Sequence, residues 1–288
     1  MKSNTQKNPS DQITIVYEDE NMLAINKPAG VVVNRAQSVT GSTLQDWLEE
    51  NIEQIKRGVT TGEYVKNWEQ QIPTSFTGEF GTPQDVFSQR SGIAHRLDKE
   101  TSGIMLVAKH PGSLLHLLDQ FKNRTVHKQY VCLVHGTFAM PTGEVNVPLG
   151  RRSGNRKLFG VVADGRPAVT YYEVEYFYKT VDIQRISLET NEKKKRFSLY
   201  ETGFSLVRCF PKTGRTHQIR VHMAHLAHPI VGDSSYAGKK RIKLDQLWCA
   251  RHFLHAQKIE FIHPKTQEKM LLSADLSQDL QEVLTYLS

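Results

Sequence analysis

Residues 95–109 of the chain read HRLDKETSGIMLVAK. The apolar run from Gly103 to Lys109 predicts a buried strand, and the turn-forming Thr-Ser-Gly before it places Asp98 on a loop at the N-terminal edge of that strand. Catalytic side chains concentrate on loops that a rigid sheet holds in place, and a carboxylate there can act as a nucleophile, a general base or a metal ligand. The alternative is structural, because an aspartate before Thr, Ser or Gly also caps a turn through its side chain.

A second stretch, KTGRTHQIRVH at residues 212–222, predicts the start of a helix. Thr216 is a suitable N-cap, and the residues after it have the apolar spacing of one helix face. That face is formed by Ile219, Met223 and Leu226. Arg220 lies off the apolar face, where it can hold a carboxylate with two hydrogen bonds, meet a phosphate or simply be solvated.

Runs typical of strands outnumber helical runs and often follow each other directly, which favours an α+β fold with a mixed, mostly antiparallel central sheet and flanking helices. Helices are predicted over 43–57, 111–124 and 276–287. Strands are predicted over 168–178, 182–189 and 198–210, with a charged turn, EKKKR, over 192–196.

The chain shows no clear linker, so residues 13–288 are predicted to form one catalytic domain after a flexible tail over 1–12. Within that domain, 58–90 has Gly and Pro among Thr, Ser and Gln and few clustered apolar residues. We predict that this segment is a long loop or an insertion.

The composition of the 288 residues excludes several classes of protein. Apolar residues make up 39 % and charged residues 23 %, which does not fit a wholly disordered chain, a collagen or a coiled coil. No apolar run approaches the roughly 18 residues that span a bilayer, and the polar N-terminus lacks the apolar centre of a secretory signal. The three cysteines are widely spaced without a CxxC pair, so neither a disulfide framework nor a cysteine-rich zinc site is predicted. We therefore expect a soluble protein of the cytoplasm.

Positive charge is concentrated in one part of the chain. Residues 208–243 contain eight basic residues and one acid, which gives this segment the same net charge, +7, as the whole chain. Such a one-sided distribution favours a surface that meets a polyanion such as RNA or DNA, although the same side chains could simply be solvated. Tyr130, which follows basic residues at a predicted strand start, could stack on an extruded base or belong to the core or its rim.

Two further patterns are candidate ligand sites. Histidines recur between His217 and His228, but no glutamate lies among them, HExxH is absent and their positions drift around the helix, so no metal site is predicted. The basic loop at 150–157 lacks the GKS or GKT ending of a nucleotide-binding loop, so contact with RNA phosphates or plain solvation is favoured over nucleotide binding.

Taken together, four motifs resemble those of the RluA-type pseudouridine synthases and occur in the order of that family. They are LAINKPAGVVV at 23–33, HRLDKETSGIMLVAK at 95–109, GRTHQIRVHMAHLAHPIVGD at 214–233 and LHAQKIEFIHP at 254–264. The resemblance implies the pseudouridine synthase fold, with two halves around a catalytic cleft, and an isomerase that needs no cofactor and no metal. It also implies that Asp98 is the catalytic carboxylate, that Tyr130 stacks on the base and that Arg220 pairs with Asp98.

The same resemblance implies RNA as the partner, either ribosomal or transfer RNA, with the target uridine flipped out of its stack. Seven further residues are expected to contact RNA: His95, Arg96, Arg215, His217, Lys239, Lys240 and Arg241. The first family motif begins so early that no N-terminal S4 domain is expected, and neither are a membrane contact, a nucleotide cofactor or an oligomer. The competing interpretations are a non-catalytic RNA-binding protein that keeps the synthase scaffold and, less well supported, a histidine-metal hydrolase.

Overall fold

The computed structural model describes residues 9–37, 39–182, 185–186 and 197–288. The chain forms two compact units. The first unit comprises Met1–Val126 with Lys258–Ala274, and the second comprises His127–Gln257 with Asp275–Ser288. The predicted turn at 192–196 and most of the predicted strand at 182–189 lie outside the described residues. So does most of the predicted tail, of which Pro9–Gln12 form a short 3-10 helix.

The first unit is built on antiparallel strands. They are β1 (Thr14–Glu18), β2 (Met22–Lys27), β3 (Ser102–Ala108) and β11 (Lys269–Ser273), with the 258–262 part of β10 (Leu254–Ile262). Strand β2 lies between β1 and β3, and β11 pairs with β10. All seven residues of β3 are buried, which explains why this strand has a continuous apolar sequence and confirms the strand predicted from it.

Four α-helices accompany these strands. They are α1 (Leu44–Asn51), α2 (Glu53–Thr60), α3 (Pro83–Arg90) and α4 (Pro111–Lys122). Helix α4 confirms the helix predicted over 111–124. The helix predicted over 43–57 is instead two helices, because Ile52 is extended (φ −113°, ψ 103°) and buried between them.

The segment 58–90 has more regular structure than a loop. It contains the end of α2, a 3-10 helix at Trp68–Gln71 and the whole of α3. Trp68 and Phe87 are buried, and the ring of Tyr64 lies edge-on to both. The segment is therefore anchored to the first unit by its aromatic side chains.

In the second unit the sheet strands follow the order β10–β4–β9–β8–β5, with antiparallel pairing from β4 to β5, and β6 and β7 form a separate two-stranded hairpin. Its strands are β4 (His127–His135), β5 (Thr142–Asn146), β6 (Leu149–Arg152), β7 (Asn155–Val161), β8 (Val169–Tyr178) and β9 (Phe204–Pro211), with the 254–257 part of β10. Its helices are α5 (Gln218–His225), α6 (Lys239–Asp245) and α7 (Gln278–Thr285), with a 3-10 helix at Phe197–Tyr200.

These elements confirm the α+β class and the mostly antiparallel sheet with flanking helices. Helix α7 and strand β8 lie within the predicted helix at 276–287 and the predicted strand at 168–178. The strand predicted over 198–210 begins at Phe204, because a 3-10 helix occupies its first residues. Within the described ranges, no helix has both the length and the apolar character needed to cross a membrane.

Candidate active site

Asp98 begins a tight turn directly before β3. The Thr101 N–H donates to the Asp98 carbonyl at 3.1 Å, and the Asp98 side chain is half-buried. The next carbonyl, that of Lys99, accepts from the Gly30 N–H at 2.9 Å and from Lys27 Nζ at 3.1 Å. The main chain directly after Asp98 is thus fixed by hydrogen bonds to Lys27, the last residue of β2, and to Gly30.

Lys27 supports the Asp98 turn, although in the sequence it was interpreted only as the end of a strand. Its side chain is fully buried, and its ammonium donates to the carbonyls of Pro28 (2.8 Å), Val31 (3.1 Å) and Lys99 (3.1 Å). A buried charge is tolerated only when hydrogen bonds replace its water, and three backbone carbonyls do so here. A lysine directly before Pro-Ala-Gly was the signal available in the sequence.

His95 and Arg96 share this loop but differ in environment. His95 Nε2 accepts from the Leu106 N–H at 2.9 Å, and its ring packs on Phe121 with the centroids 4.7 Å apart. Because Nε2 accepts, this nitrogen carries no proton, and His95 serves to hold the loop against β3. Arg96 is exposed. The RNA contacts expected of both residues stay predictions.

Tyr130 lies in the second unit, on β4, directly opposite Cys209 of β9. Its side chain is half-buried, as is that of Lys128, which projects from the same face of the strand two residues earlier. Burial lowers the pKa of Lys128 to about 8. The buried thiol of Cys209 lies 3.6 Å from the buried thiol of Cys132, two residues after Tyr130 on β4. The base-stacking role expected of Tyr130 stays a prediction.

Arg220 forms a bidentate ion pair with Asp233. Arg220 Nε donates to Asp233 Oδ2 at 2.7 Å and Nη2 donates to Oδ1 at 2.9 Å. Arg220 is 5 % exposed and Asp233 is fully buried. Arg220 therefore holds the carboxylate of Asp233 with two hydrogen bonds, and the pairing with Asp98 that the resemblance implies stays a prediction. A guanidinium has five N–H donors, so the pair with Asp233 does not use all of them.

The Asp233 carboxylate is held in its charged form. Burial alone would raise its pKa, but the hydrogen bonds and charge of Arg220, with His252 and the Ser235 N–H, lower the pKa below its usual value. Oδ1 also accepts from the N–H groups of Ser235 (2.9 Å) and Tyr236 (3.2 Å). In the sequence, Asp233 stands out only as a carboxylate near the histidines.

Gln218 fixes the start of α5, where the predicted site residues Arg215, His217 and Arg220 come together. Its Oε1 accepts from Thr213 Oγ1 (2.6 Å) and the Arg215 N–H (3.0 Å). Its Nε2 donates to the Val169 carbonyl and to Thr170 Oγ1, both at 2.9 Å. All four hydrogen-bonding positions of this buried amide are satisfied within the second unit, so the turn before Arg220 is rigid.

His217 caps α5 in a left-handed conformation, with φ 56° and ψ 21°. Its Nδ1 lies 2.8 Å from the Tyr236 hydroxyl, and its ring is edge-on to both Tyr236 and Phe159. A non-glycine residue with positive φ persists only where its surroundings determine it, and such residues concentrate at functional sites. The helix cap thus lies one residue after the predicted cap at Thr216, and the helix begins at Gln218.

Lys239, Lys240 and Arg241 form the first turn of α6. Both lysines are exposed, whereas Arg241 is half-buried. The other end of the helix is anchored by Asp245, whose fully buried carboxylate accepts from Tyr200 Oη (2.7 Å) and from the Gly232 N–H (3.0 Å). The exposed lysines therefore lie on a helix whose C-terminal end is anchored by hydrogen bonds.

The predicted site residues divide between the units. His95, Arg96 and Asp98 share a loop of the first, whereas Tyr130, the residues at the start of α5 and the residues of α6 belong to the second. Across the ranges that the structure describes, there is no cluster of three or more His, Cys, Asp or Glu side chains arranged to hold a metal ion.

Comparisons with known proteins identify the family of this chain. A family model described as RNA pseudouridylate synthase matches residues 21–225. An RNA pseudouridine synthase named YlyB, from Bacillus subtilis, is 30% identical over 99% of this chain and 82% of its own. Ribosomal large subunit pseudouridine synthase D of Xanthomonas campestris is 32% identical over 100% of this chain and 73% of its own, and tRNA pseudouridine synthase C of Haemophilus ducreyi is 31% identical over 94% and 93%.

Solved structures share the fold. Human RNA Pseudouridylate Synthase Domain Containing 4 has a TM-score of 0.61 at 21% sequence identity, covering 95% of this chain and 93% of its own. Human RNA Pseudouridylate Synthase Domain Containing 1 has a TM-score of 0.58 at 21% identity, covering 93% and 85%.

Proposed function

The chain belongs to the RNA pseudouridylate synthase family and isomerises uridine to pseudouridine, and we propose that Asp98 is the carboxylate that drives this reaction. The observation that carries the proposal is the anchored turn before β3. Lys27 and Gly30 both bind the carbonyl of Lys99, so the residue before it stands on a fixed main chain while its own side chain is half-buried. A catalytic group needs such a placement, because misplacement by about 1 Å can cost two orders of magnitude in rate.

The reaction breaks the bond between N1 of uracil and C1′ of ribose and forms a bond between C5 and C1′. The C5 hydrogen leaves to solvent, and N1 takes up a proton, so no electron acceptor and no added group is required. Asp98 acts either by attacking C1′ or by removing a proton from the sugar. Both routes need the carboxylate ionised, and we propose that Arg220 favours this charged form.

Arg220 suits the role because its guanidinium is held before substrate binds. The pair with Asp233 uses Nε and Nη2 and leaves Nη1 outside that pair, and the α5 turn is fixed by Gln218. We further propose that Tyr130 stacks on the face of the flipped uracil, which repays part of the few kcal/mol that flipping costs.

RNA binding is proposed for the basic residues that the sequence analysis singled out. Arg96 in the first unit and Lys239 and Lys240 in the second are exposed and can meet phosphates, while Arg215, His217 and Arg241 occupy half-buried positions of the second unit. His95 would act through the loop that it holds. Relatives named for large-subunit ribosomal RNA and for transfer RNA make these two RNA classes the first to test. We propose that the enzyme works as a cytoplasmic monomer and needs no nucleotide cofactor.

The test measures tritium released from C5. Transcripts of large-subunit ribosomal RNA and of transfer RNAs, made with uridine tritiated at C5, are incubated with wild-type protein and with Asp98→Asn, without added nucleotide. Release by the wild type and none by the variant would support the proposal and identify the RNA class. Release by both would overturn the role of Asp98. Retention of RNA by both proteins without release would favour the non-catalytic RNA-binding alternative.

A further inference from the structure

Tyr236 contacts the Arg220–Asp233 pair in two ways. The Arg220 Cζ lies 5.1 Å from the centroid of the Tyr236 ring, within the range of a cation–π contact. The Tyr236 N–H donates at 3.2 Å to Asp233 Oδ1, which is also the oxygen that accepts from Arg220 Nη2. Tyr236 therefore touches the guanidinium through its ring and the partner carboxylate through its main chain.

The hydroxyl of the same tyrosine reaches a different part of the second unit. It accepts from the Phe159 N–H at 3.2 Å and lies 2.8 Å from His217 Nδ1. Phe159 belongs to β7, whose only strand partner among the described residues is β6. The ring of Phe159 in turn lies under the Arg151 guanidinium, with Cζ 5.1 Å from its centroid.

These contacts form one chain of residues from the exposed, basic β6–β7 hairpin to Arg220. Arg151 rests on Phe159, the Phe159 main chain holds the Tyr236 hydroxyl, and the Tyr236 ring faces Arg220. His217 braces the tyrosine from the left-handed cap of α5, the helix that carries Arg220. The half-buried Tyr236 side chain is thus fixed by the Phe159 N–H, by His217 and by the Arg220 guanidinium, although the reaction itself does not require this tyrosine.

We infer that Tyr236 is a positioning residue for Arg220. The Tyr236 ring orients the Arg220 guanidinium, and the Tyr236 hydroxyl links that orientation to the β6–β7 hairpin. The inference rests on the proposed function, in which Arg220 favours the ionised form of Asp98. The ring and the hydroxyl of Tyr236 thus have different roles, and substitution can test each role separately.

The experiment compares Tyr236→Phe and Tyr236→Leu with wild type in tritium release at saturating and at limiting RNA. Tyr236→Phe keeps the ring but loses the hydroxyl contacts with the Phe159 N–H and His217 Nδ1, and we expect kcat to fall about three- to tenfold with KM within about twofold. Tyr236→Leu also loses the ring, and we expect kcat to fall roughly thirtyfold or more. Tyr176→Leu removes an exposed tyrosine elsewhere in the second unit and should leave both parameters unchanged.

The pH profile of kcat separates positioning from a merely structural role. A displaced guanidinium favours the ionised carboxylate less, so the acidic limb should move to higher pH in Tyr236→Leu, less in Tyr236→Phe and not in Tyr176→Leu. A lower thermal midpoint with unchanged kcat and an unmoved acidic limb would overturn the inference and leave Tyr236 as packing. If the wild type releases no tritium from either RNA class, the proposed function fails instead; active wild type with unaffected Tyr236 variants removes only this inference.

Discussion

The turn that carries Asp98 and the helix start that carries Arg220 are made rigid in different ways. The first is held through its main chain, since Lys27 and Gly30 bind the carbonyl of Lys99. The second is held through the functional side chain itself, which is buried in an ion pair with Asp233. A group held by its main chain can be changed without loosening its support, whereas a group that belongs to a buried network cannot. Substitution of Asp98 should therefore lower activity without lowering stability, whereas substitution of Arg220 should lower both.

The largest effect is expected from Asp98→Asn. The exchange removes the charge with almost no change in size, and we expect tritium release to fall by about 10³-fold or more, because this group is proposed to act on the sugar directly. The thermal midpoint should change little, since the main-chain anchors of the turn remain. Glu100→Gln, in the same turn, is the matched control and should keep full activity. A large loss of stability in Asp98→Asn would contradict the view that the turn is held by its main chain.

Arg220→Met should lower both the activity and the stability of the protein. We expect tritium release to fall by about 100-fold, and the free energy of unfolding to fall by about 3–5 kcal/mol because the buried Asp233 carboxylate loses its partner. Arg220→Lys keeps the charge but not the two-point geometry, so it should lie between wild type and Met in both measurements.

The matched control for this arginine is Arg208→Met. Arg208 pairs with Glu173 at 3.2 Å, with both side chains more than a third exposed, so its loss should cost about 0–1 kcal/mol. Urea unfolding and tritium release, measured on the same preparations, provide the comparison. If Arg220→Met unfolds at the wild-type urea concentration, the ion pair with Asp233 does not support the second unit.

Lys27→Met tests the main-chain support of the Asp98 turn. The substitution removes the donor for three backbone carbonyls, and we expect a loss of about 3 kcal/mol in the free energy of unfolding. Activity should fall in the remaining folded protein, since the carbonyl of Lys99 keeps only its bond from Gly30. Lys258→Met, at an exposed position of the same unit, should change neither quantity. Unchanged activity in folded Lys27→Met would show that Gly30 alone fixes the turn.

The sequence predicted the parts of the fold whose burial pattern is simple. Strand β3 is buried at every position and α4 has a clear apolar face, so the predicted ends of both elements lie close to the observed ends. Helix α3 was missed because only Val86 and Phe87 are buried in it, too few to give a helical period. Its capping box of Thr82 and Asp85 was the available signal.

For the site, the sequence named candidate residues but not the partners that packing gives them. Asp98 and Arg220 stand within the quoted motifs, and the resemblance assigned roles to them and to Tyr130, which stay predictions. Nothing in the spacing of Arg220 and Asp233, thirteen residues apart with a helix end between them, announces an ion pair. Lys27 was equally hidden, because a lysine at the end of a strand is ordinarily solvated and only the fold shows that this one is buried.

Two buried histidines, one in each unit, should make the protein less stable in mild acid. Burial lowers the pKa of His110 and of His222 to about 4. Between about pH 6.5 and 4 the unfolded chain binds these protons and the folded chain does not, so stability falls as the pH falls through that range. From about pH 7 to pH 5 we expect a loss of about 2 kcal/mol for each histidine.

The measurement is urea unfolding at the two pH values. His110→Gln tests the first unit and His222→Gln the second, and in each variant the loss of stability between the two pH values should be smaller than in wild type by about 2 kcal/mol. If one substitution removes all of it, the other histidine is already protonated in the folded state. Equal slopes in wild type and both variants would contradict the neutral state of either ring.

The smallest effect is expected from Lys239 and Lys240, which differ from Arg220 in being exposed rather than buried in an ion pair. They occupy the first turn of α6, where a positive charge opposes the helix dipole, so their replacement by Ala should not destabilise the protein. If they meet phosphates, the double variant should bind RNA more weakly, and the slope of log affinity against log salt should decrease by about 0.7–0.9 for each phosphate that is no longer neutralised. At saturating RNA, kcat should stay at the wild-type value.

The matched control replaces Lys122 and Lys258, two exposed lysines of the first unit, by Ala. This double variant should leave the salt slope unchanged. A salt slope that neither pair alters would remove α6 from the RNA surface, and a lower kcat in the α6 variant would mean that these lysines, like Arg220, influence the chemical step.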